Sequence, residues 1–318
     1  MQTDLITIGI TCFNAEATIE RAVRSARGQT WPAIEIVVVD DASTDASWTV
    51  VQRLASEDAR VHAFRQAANR GVGATRNSVL AHASGDFVAF FDDDDVSAPE
   101  RLSEQHRRIV AYERATSASA VACYSATEQR YPDGTTVYSP ALGADATPGP
   151  SGDEVARLIL LGKPTSGSRG VCPTSSLLAR RRVYDLVGGF DSELRRHEDT
   201  DFNLRLALRG GHFAGVSNAL VIQSMTFTSD KAVSAERQSA LRLIEKHRDV
   251  LQRWKWYDFS RLWTEMKFAR FEGGVRVALP YLIRLALTSP AKTARKVMWS
   301  LPNRKTYQRY KYSHESRV

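Results

Sequence analysis

The sequence predicts an α/β protein built on a doubly wound, mostly parallel sheet. Two observations carry this. Strand-like and helix-like segments take turns four times in the first hundred residues, and three of the four strand-like segments end in polar, largely acidic residues. Alternation of this kind builds right-handed βαβ units, whose ligands bind beyond the carboxyl ends of the strands.

Taken in order, LITIGIT (5–11) reads as a strand and AEATIERAVRSARG (15–28) as an amphipathic helix closed by Gly28. IEIVVVDD (34–41) is a buried strand, and STDASWTVVQRLASE (43–57) a helix capped by Ser43 or Thr44. RVHAFRQ (60–66), GVGATRNSVLAHASG (71–85) and DFVAFF (86–91) continue as strand, helix and strand. Beyond Pro99 the pattern predicts a helix over 100–115 and a β-prone stretch near AVACYSATEQRY (120–131). The Gly-, Pro- and Asp-rich segment 131–153 predicts a hairpin turn at Asp133-Gly134 and a mobile loop. A helix (153–161) then leads to GKPTSGSRGVCP (162–173), whose glycine-rich part suits a lid. TSSLLA (174–179), RRRVYDLVGGFD (180–191) and EDTDFNLRLALRGG (198–211) read as strand, helix with a glycine stop, and helix. HFAGVSNALVIQS (212–224) is strand-like, and helices fill most of the rest.

With 318 residues, 43% of them hydrophobic, the chain can bury a substantial core. The N-terminus has no cationic stretch ahead of an apolar run, so no secretory signal is expected and a cytoplasmic location is. Cys12, Cys123 and Cys172 are far apart and odd in number, and read as small apolar residues rather than a disulfide or zinc framework. The net charge of +7 is uneven. Residues 245–318 carry 17 Lys and Arg against 6 Asp and Glu, whereas residues 1–244 carry 26 against 30. A mildly acidic body with a basic tail argues against a nucleic-acid partner. The tail interleaves its cations with Trp254, Trp256, Tyr257, Trp263, Phe268, Phe271, Tyr281 and Trp299. That pattern fits an anionic membrane surface, and equally a helical extension that packs its rings on the body. VALPYLIRLAL (277–287), broken by Pro280 and Arg284, is too short to span a bilayer, so any attachment would be peripheral.

Four segments can carry chemistry. Asp92, Asp93, Asp94 and Asp95 follow an apolar strand directly, and adjacent carboxylates repel unless a cation neutralises them. An oxygen-only donor set favours Mg²⁺ or Mn²⁺; the competing reading is a solvated acidic turn that caps the next helix through Ser97. Asp40 and Asp41 can accept hydrogen bonds from a ribose or base, or simply form a turn and cap the helix near Thr44. NRGVGATRN (69–77) sets glycines at a helix start beside Arg76, a phosphate-binding pattern or an ordinary glycine loop. In HEDTDF (197–202) Glu198 and Asp199 fall at a helix N-terminus, whose dipole keeps a carboxylate ionised as a proton acceptor. Ordinary N-terminal helix acids look the same.

In combination and order, ITIGITCFNAEATIERAVRSARGQTWPAIEIVVVDDASTD, NRGVGATRN, GDFVAFFDDDD and GGFD followed by EDTDF resemble the family 2 glycosyltransferases of the GT-A fold, over roughly residues 4–210. The resemblance implies a nucleotide-sugar-binding half (1–100), an acceptor-binding and catalytic-base half (101–230) and a helical, basic C-terminal extension (231–318). It places Thr11, Phe13 and Asn14 near the nucleotide, Asp41 on the base, Arg76 on the phosphate side and Asp93 beside the ribose. It makes Asp94 the metal ligand, with Asp92 second, for Mn²⁺ or Mg²⁺, and Asp199 the general base, with Glu198 its neighbour. One departure stands out: many relatives carry a histidine shortly after the strand that follows the ED helix, and none occurs between Gln223 and Asp230. The implied reaction is inverting transfer from a nucleotide-diphosphate sugar, a UDP-sugar first, to a polysaccharide or lipid-linked saccharide. Two alternatives compete. A sugar nucleotidyltransferase should carry a glycine- and lysine-rich phosphate loop after the first strand, which TCFNAEATIE lacks. A non-catalytic docking protein would use only the basic tail.

Overall fold

A computed structural model of the chain describes residues 3–165, 170–225 and 233–300. Residues 166–169 of the expected lid, and 226–230 of the histidine-free stretch, lie outside the described residues. The chain divides into two compact units, one made of Met1–Val155 and Thr165–Met225, the other of Ala156–Pro164 and Thr226–Val318.

In the first unit β1 (Ile6–Cys12), β2 (Ile34–Asp40), β3 (Val61–Arg65) and β4 (Phe87–Asp92) are all parallel, joined through α1 (Ile19–Arg27), α2 (Ser47–Glu57) and α3 (Val72–His82). Ile6, Ile8, Ile10, Ile36, Val38, Phe87 and Ala89 are buried in one core, as near-continuous apolar strands covered on both faces must be. Gly9 is required by close approach: a Cβ there would lie 2.3 Å from Val79 Cγ1 of α3.

The chain continues as β5 (Val96–Ser97), α4 (Arg101–Thr116), β6 (Val121–Arg130), β7 (Thr136–Ser139), α5 (Gly152–Leu161), β8 (Leu177–Arg180), α6 (Arg181–Val187), α7 (Glu198–Leu208) and β9 (His212–Ser224). The sheet runs β3-β2-β1-β4-β8-β6-β9-β5, with β7 on β6. β8 is antiparallel to both β4 and β6, while β6 and β9 are parallel. The α/β sheet and the helical C-terminal region expected from sequence are thus present.

Local expectations fared unevenly. The hairpin turn forms at Gly134 (φ 81°), and α6 stops at Gly188 in the left-handed region (φ 82°). Neither Ser43 nor Thr44 caps α2: Ser43 Oγ accepts the Asn14 N–H, and the Thr44 N–H donates to Asn14 Oδ1. Ser97 does not cap α4 either, because its hydroxyl accepts from Arg101 Nη1 at 2.9 Å. The loop expected to be mobile is tied down through bridges from Ala141 to Val171, Ala144 to Gly215 and Ser151 to His212, and by Arg108 on Thr147 Oγ1. The three cysteines are free; burial pushes the Cys123 and Cys172 thiols up to about 12, as small apolar residues require.

The second unit contains α8 (Val233–Lys246), α9 (Arg248–Arg253), α10 (Tyr257–Thr288) and α11 (Pro290–Ser300). Leu161, Ile244, Leu251, Trp256, Tyr257, Phe259 and Leu285 form its core, with Trp254, Trp263 and Trp299 packed against it. The rings of the basic tail are therefore spent largely inside this unit, where their area supplies a core a small helical body otherwise lacks. α10 is interrupted at Gly274 (φ 72°, ψ −164°), which divides it into two helical stretches. Among the described residues no helix is long and apolar enough to cross a membrane.

Candidate active site

Strand order fixes where a ligand can enter. β1 has β2 on one side and β4 on the other, so the connections diverge from β1 and leave a crevice at the carboxyl ends of β1 and β4. Thr11 on β1 is registered against Asp92 on β4, with Asp93, Asp94 and Asp95 directly beyond. Asp93 turns toward β1, its Oδ2 accepting the Phe13 N–H at 3.0 Å. Asp92, Asp94 and Asp95 face one another, each with a carboxylate oxygen within 4.8 Å of the others. Arg21 of α1 reaches the same turn, donating to the Asp94 carbonyl at 2.5 Å and to Ser224 Oγ at 2.9 Å.

The electrostatics of this turn are unfavourable as the side chains stand. Burial, with Asp94 and Asp92 alongside, pushes Asp93 up to about 7 despite the Phe13 N–H. Burial and the charges of Asp92 and Asp94 push Asp95 up to about 8, against hydrogen bonds from Gln223 and the Ser224 backbone. Asp95 Oδ2 is buried and has no hydrogen-bond partner. A hard divalent cation fits this donor set: it needs oxygen ligands near 2.1 Å, supplies the missing partner and relieves the repulsion. The family resemblance points to Asp94 and Asp92; the geometry adds Asp95, which four consecutive identical residues cannot distinguish.

The second half of the site is α7. His197 precedes it in the left-handed region (φ 65°), so Glu198 and Asp199 occupy the first turn, as expected. Arg76 lies between this turn and the acidic one. Its Nη1 is 2.5 Å from Glu198 Oε1 and its Nη2 is 3.5 Å from Asp92 Oδ1, with the guanidinium 5.4 Å over the Phe190 ring. Arg76 and Glu198 are both buried. Burial raises Glu198, opposed by Arg76 and reinforced by Asp199, while the carboxylates hold the guanidinium charged. Gly73 permits the approach, since a Cβ there would meet the Asp191 carbonyl oxygen at 2.8 Å. Asp199 Oδ1 accepts the Thr200 N–H at 2.6 Å and the Thr200 hydroxyl at 3.1 Å.

Around the crevice mouth, Phe13 is 44% exposed, unusual for an aromatic at a strand end. Asn14, at φ 50°, accepts the Thr44 N–H through Oδ1 at 2.8 Å. Asp41 is buried and already employed: Oδ1 accepts from the Arg70 N–H at 2.8 Å and Gln66 Nε2 at 3.0 Å, and Oδ2 from the Gly71 N–H at 2.8 Å. It organises the loop that opens α3. Asp40 instead pairs with Arg65 Nε at 3.1 Å and accepts the Ser43 N–H.

Arg101 is a further member of the site with no signal in the sequence. It is fully buried, donates to Gln105, Ser97 Oγ and the Phe90 carbonyl, and stacks 4.2 Å over Phe91. Burial lowers its pKa, and Asp95 and Asp92 oppose that shift. An arginine one residue inside a helix is indistinguishable in sequence from a solvated one.

The family model of glycosyl transferase family 2 matches residues 7–162, which include the acidic turn and Arg76 but not Glu198 or Asp199. Among curated relatives, the UDP-Glc:alpha-D-GlcNAc-diphosphoundecaprenol beta-1,3-glucosyltransferase WfaP of Escherichia coli is 34% identical over 102 residues, 32% of this chain. The succinoglycan biosynthesis protein ExoO of Rhizobium meliloti is 39% identical over 115 residues, 36% of this chain. These matches span 40% and 31% of the relatives' own lengths. Among solved structures, S. aureus TarS 1-349 in complex with UDP-GlcNAc aligns over 96% of this chain and 92% of its own, with TM-score 0.55 and 18% identity. The mannosyltransferase PcManGT from Pyrobaculum calidifontis, in complex with GDP-Man and Mn2+, aligns over 98% of this chain and 86% of its own, with TM-score 0.59 and 16% identity. Matched in fold along nearly its whole length, the chain carries a glycosyl transferase family 2 region at residues 7–162 and has the GT-A fold.

Proposed function

We propose that the chain transfers a sugar, with inversion, from a nucleotide-diphosphate sugar to a hydroxyl of a lipid-linked or polysaccharide saccharide. The observation that carries this reading is Arg76, a buried arginine that pairs with Asp92 of the acidic turn and with Glu198, the neighbour of the candidate base Asp199, in the first turn of α7. A UDP-sugar is the favoured donor and a lipid diphosphate-linked saccharide the favoured acceptor, because WfaP is named for both and TarS binds UDP-GlcNAc.

Asp94, Asp92 and Asp95 would hold Mn²⁺ or Mg²⁺, which when bound neutralises charge on the diphosphate. Phe13 offers an exposed ring for the base, and Asp93, held by the Phe13 N–H, faces the ribose. Thr11 and Asn14 line the same strand end. Asp41 supports the nucleotide side through the 66–71 loop rather than by a free carboxylate. Asp199 takes the proton from the acceptor hydroxyl as that oxygen attacks the anomeric carbon. Both Thr200 contacts fall on its Oδ1, which orients Oδ2 for that transfer. Glu198, bound to Arg76, is unsuited to be the base and instead fixes the arginine. A lipid-linked acceptor places the protein peripherally at the inner face of the cytoplasmic membrane.

The test is a screen of UDP- and GDP-sugars for Mn²⁺- or Mg²⁺-dependent hydrolysis, followed by transfer to a lipid diphosphate-linked saccharide. A nucleotide sugar consumed only with metal and an intact Asp199 supports the reading. If no nucleotide sugar is bound or consumed with metal present, it is wrong.

A further inference from the structure

The distal half of α10 buries one stripe and presents another to solvent. After the break at Gly274, Ala278 and Leu285 are buried, whereas Val275, Leu279, Leu282, Ile283 and Leu287 are exposed, Val275 at 66% and Leu287 at 78%. The exposed positions recur at i, i+4, i+7, i+8 and i+12, a single continuous face of an α-helix. Such a helix is apolar on both sides, and its outer face has no use in a protein surrounded by water alone. The charge around it has one sign. From Gly273 to Ser300 the chain contains Arg276, Arg284, Lys292, Arg295 and Lys296 and no Asp or Glu. A second copy of the same face would bring like charges together, whereas a bilayer rich in anionic lipid offers apolar depth and opposite charge at once.

We propose that this face of α10, from Val275 to Leu287, is a docking surface that lies in the interface of an anionic membrane. The aliphatic stripe enters the acyl boundary while Arg276 and Arg284 meet headgroups. It shares with the proposed function only the location of the acceptor and is independent of the donor chemistry. It also assigns membrane contact to aliphatic residues, since Trp256 and Tyr257 are buried in the unit's own core.

The experiment is cosedimentation of the full chain with phosphatidylcholine vesicles and with vesicles containing phosphatidylglycerol. It compares the natural protein with Leu279→Glu/Ile283→Glu and with Arg276→Gln/Arg284→Gln. Thermal melting confirms that the variants fold, and light scattering reports oligomeric state. The expected result is sedimentation with anionic vesicles, weakened at high salt by screening. Both variants should fall to the level seen with neutral vesicles while nucleotide binding is unchanged. Retained binding in Leu279→Glu/Ile283→Glu would overturn the proposal by leaving charge alone responsible. So would absence of vesicle binding together with a dimer that this variant dissociates, which would make the occupant a second copy.

Discussion

Arg76 Nη1 stands 2.5 Å from Glu198 Oε1, a buried pair that bridges 122 residues of chain. Removing one partner strands the other's charge. Arg76→Met should therefore destabilise the first unit by about 3–5 kcal/mol. Urea denaturation measures this, and Arg76→Met/Glu198→Gln should recover a large part of the loss. A double variant no more stable than the single one would show that the pair is not the source.

Asp199→Asn should lower transfer by about a hundred- to ten-thousand-fold while leaving nucleotide affinity unchanged, as loss of a general base does. Steady-state kinetics with calorimetry of UDP binding separates the two. Wild-type turnover in this variant would move the base elsewhere.

Mn²⁺ should raise the melting temperature, and Asp94→Asn should abolish most of that rise. Because protons compete for the same oxygens, the rise should grow as pH passes through about 8, where Asp95 ionises. A pH-independent shift would place the ion away from these carboxylates.

Asp41→Ala should cost about 1–3 kcal/mol of stability, because the part-buried Arg70 and Gly71 N–H groups lose their acceptor while Gln66 keeps Thr75 Oγ1. The 66–71 loop should at the same time become more open to protease. If stability is unchanged and only nucleotide affinity falls, Asp41 acts on the ligand directly and its three hydrogen bonds are incidental.

Lys296 gives a pH signature in the second unit. Burial, with Lys267 nearby, pulls its pKa from 10.5 to about 8. A depressed lysine binds fewer protons folded than unfolded between those values, so its contribution to stability rises from about pH 8 to about pH 10.5 and is lost as pH falls through 8. The difference in stability between the natural protein and Lys296→Met should follow that slope in chemical denaturation; a flat difference would contradict it.

β1, β2 and β4 were legible because parallel strands covered on both faces write themselves as unbroken apolar runs, as in IEIVVVDD, whereas the edge strand β3, VHAFR, is legible only from its place in the alternation. The position of β8 was not legible. Its four residues, LLAR, carry no record that they insert between β4 and β6. In the site, the acidic run and the ED pair were visible as types in a pattern. What the sequence does not show is which protein group each charge meets: Arg76 is held by two carboxylates, and Arg101 is buried beside the same acidic turn. Sequence shows that a charge exists; burial and long-range pairing decide what it answers to.

The insertion of β8 has a practical corollary. β4 and β6 both belong to the stretch that matches the family, but the strand that joins them, Leu177–Arg180, lies beyond residue 162. A chimera exchanged at the edges of residues 7–162 would transplant the two sides of a seam without its stitching. A workable cassette has to extend through the end of β9, and with it comes α7 and the carboxylate that Arg76 requires.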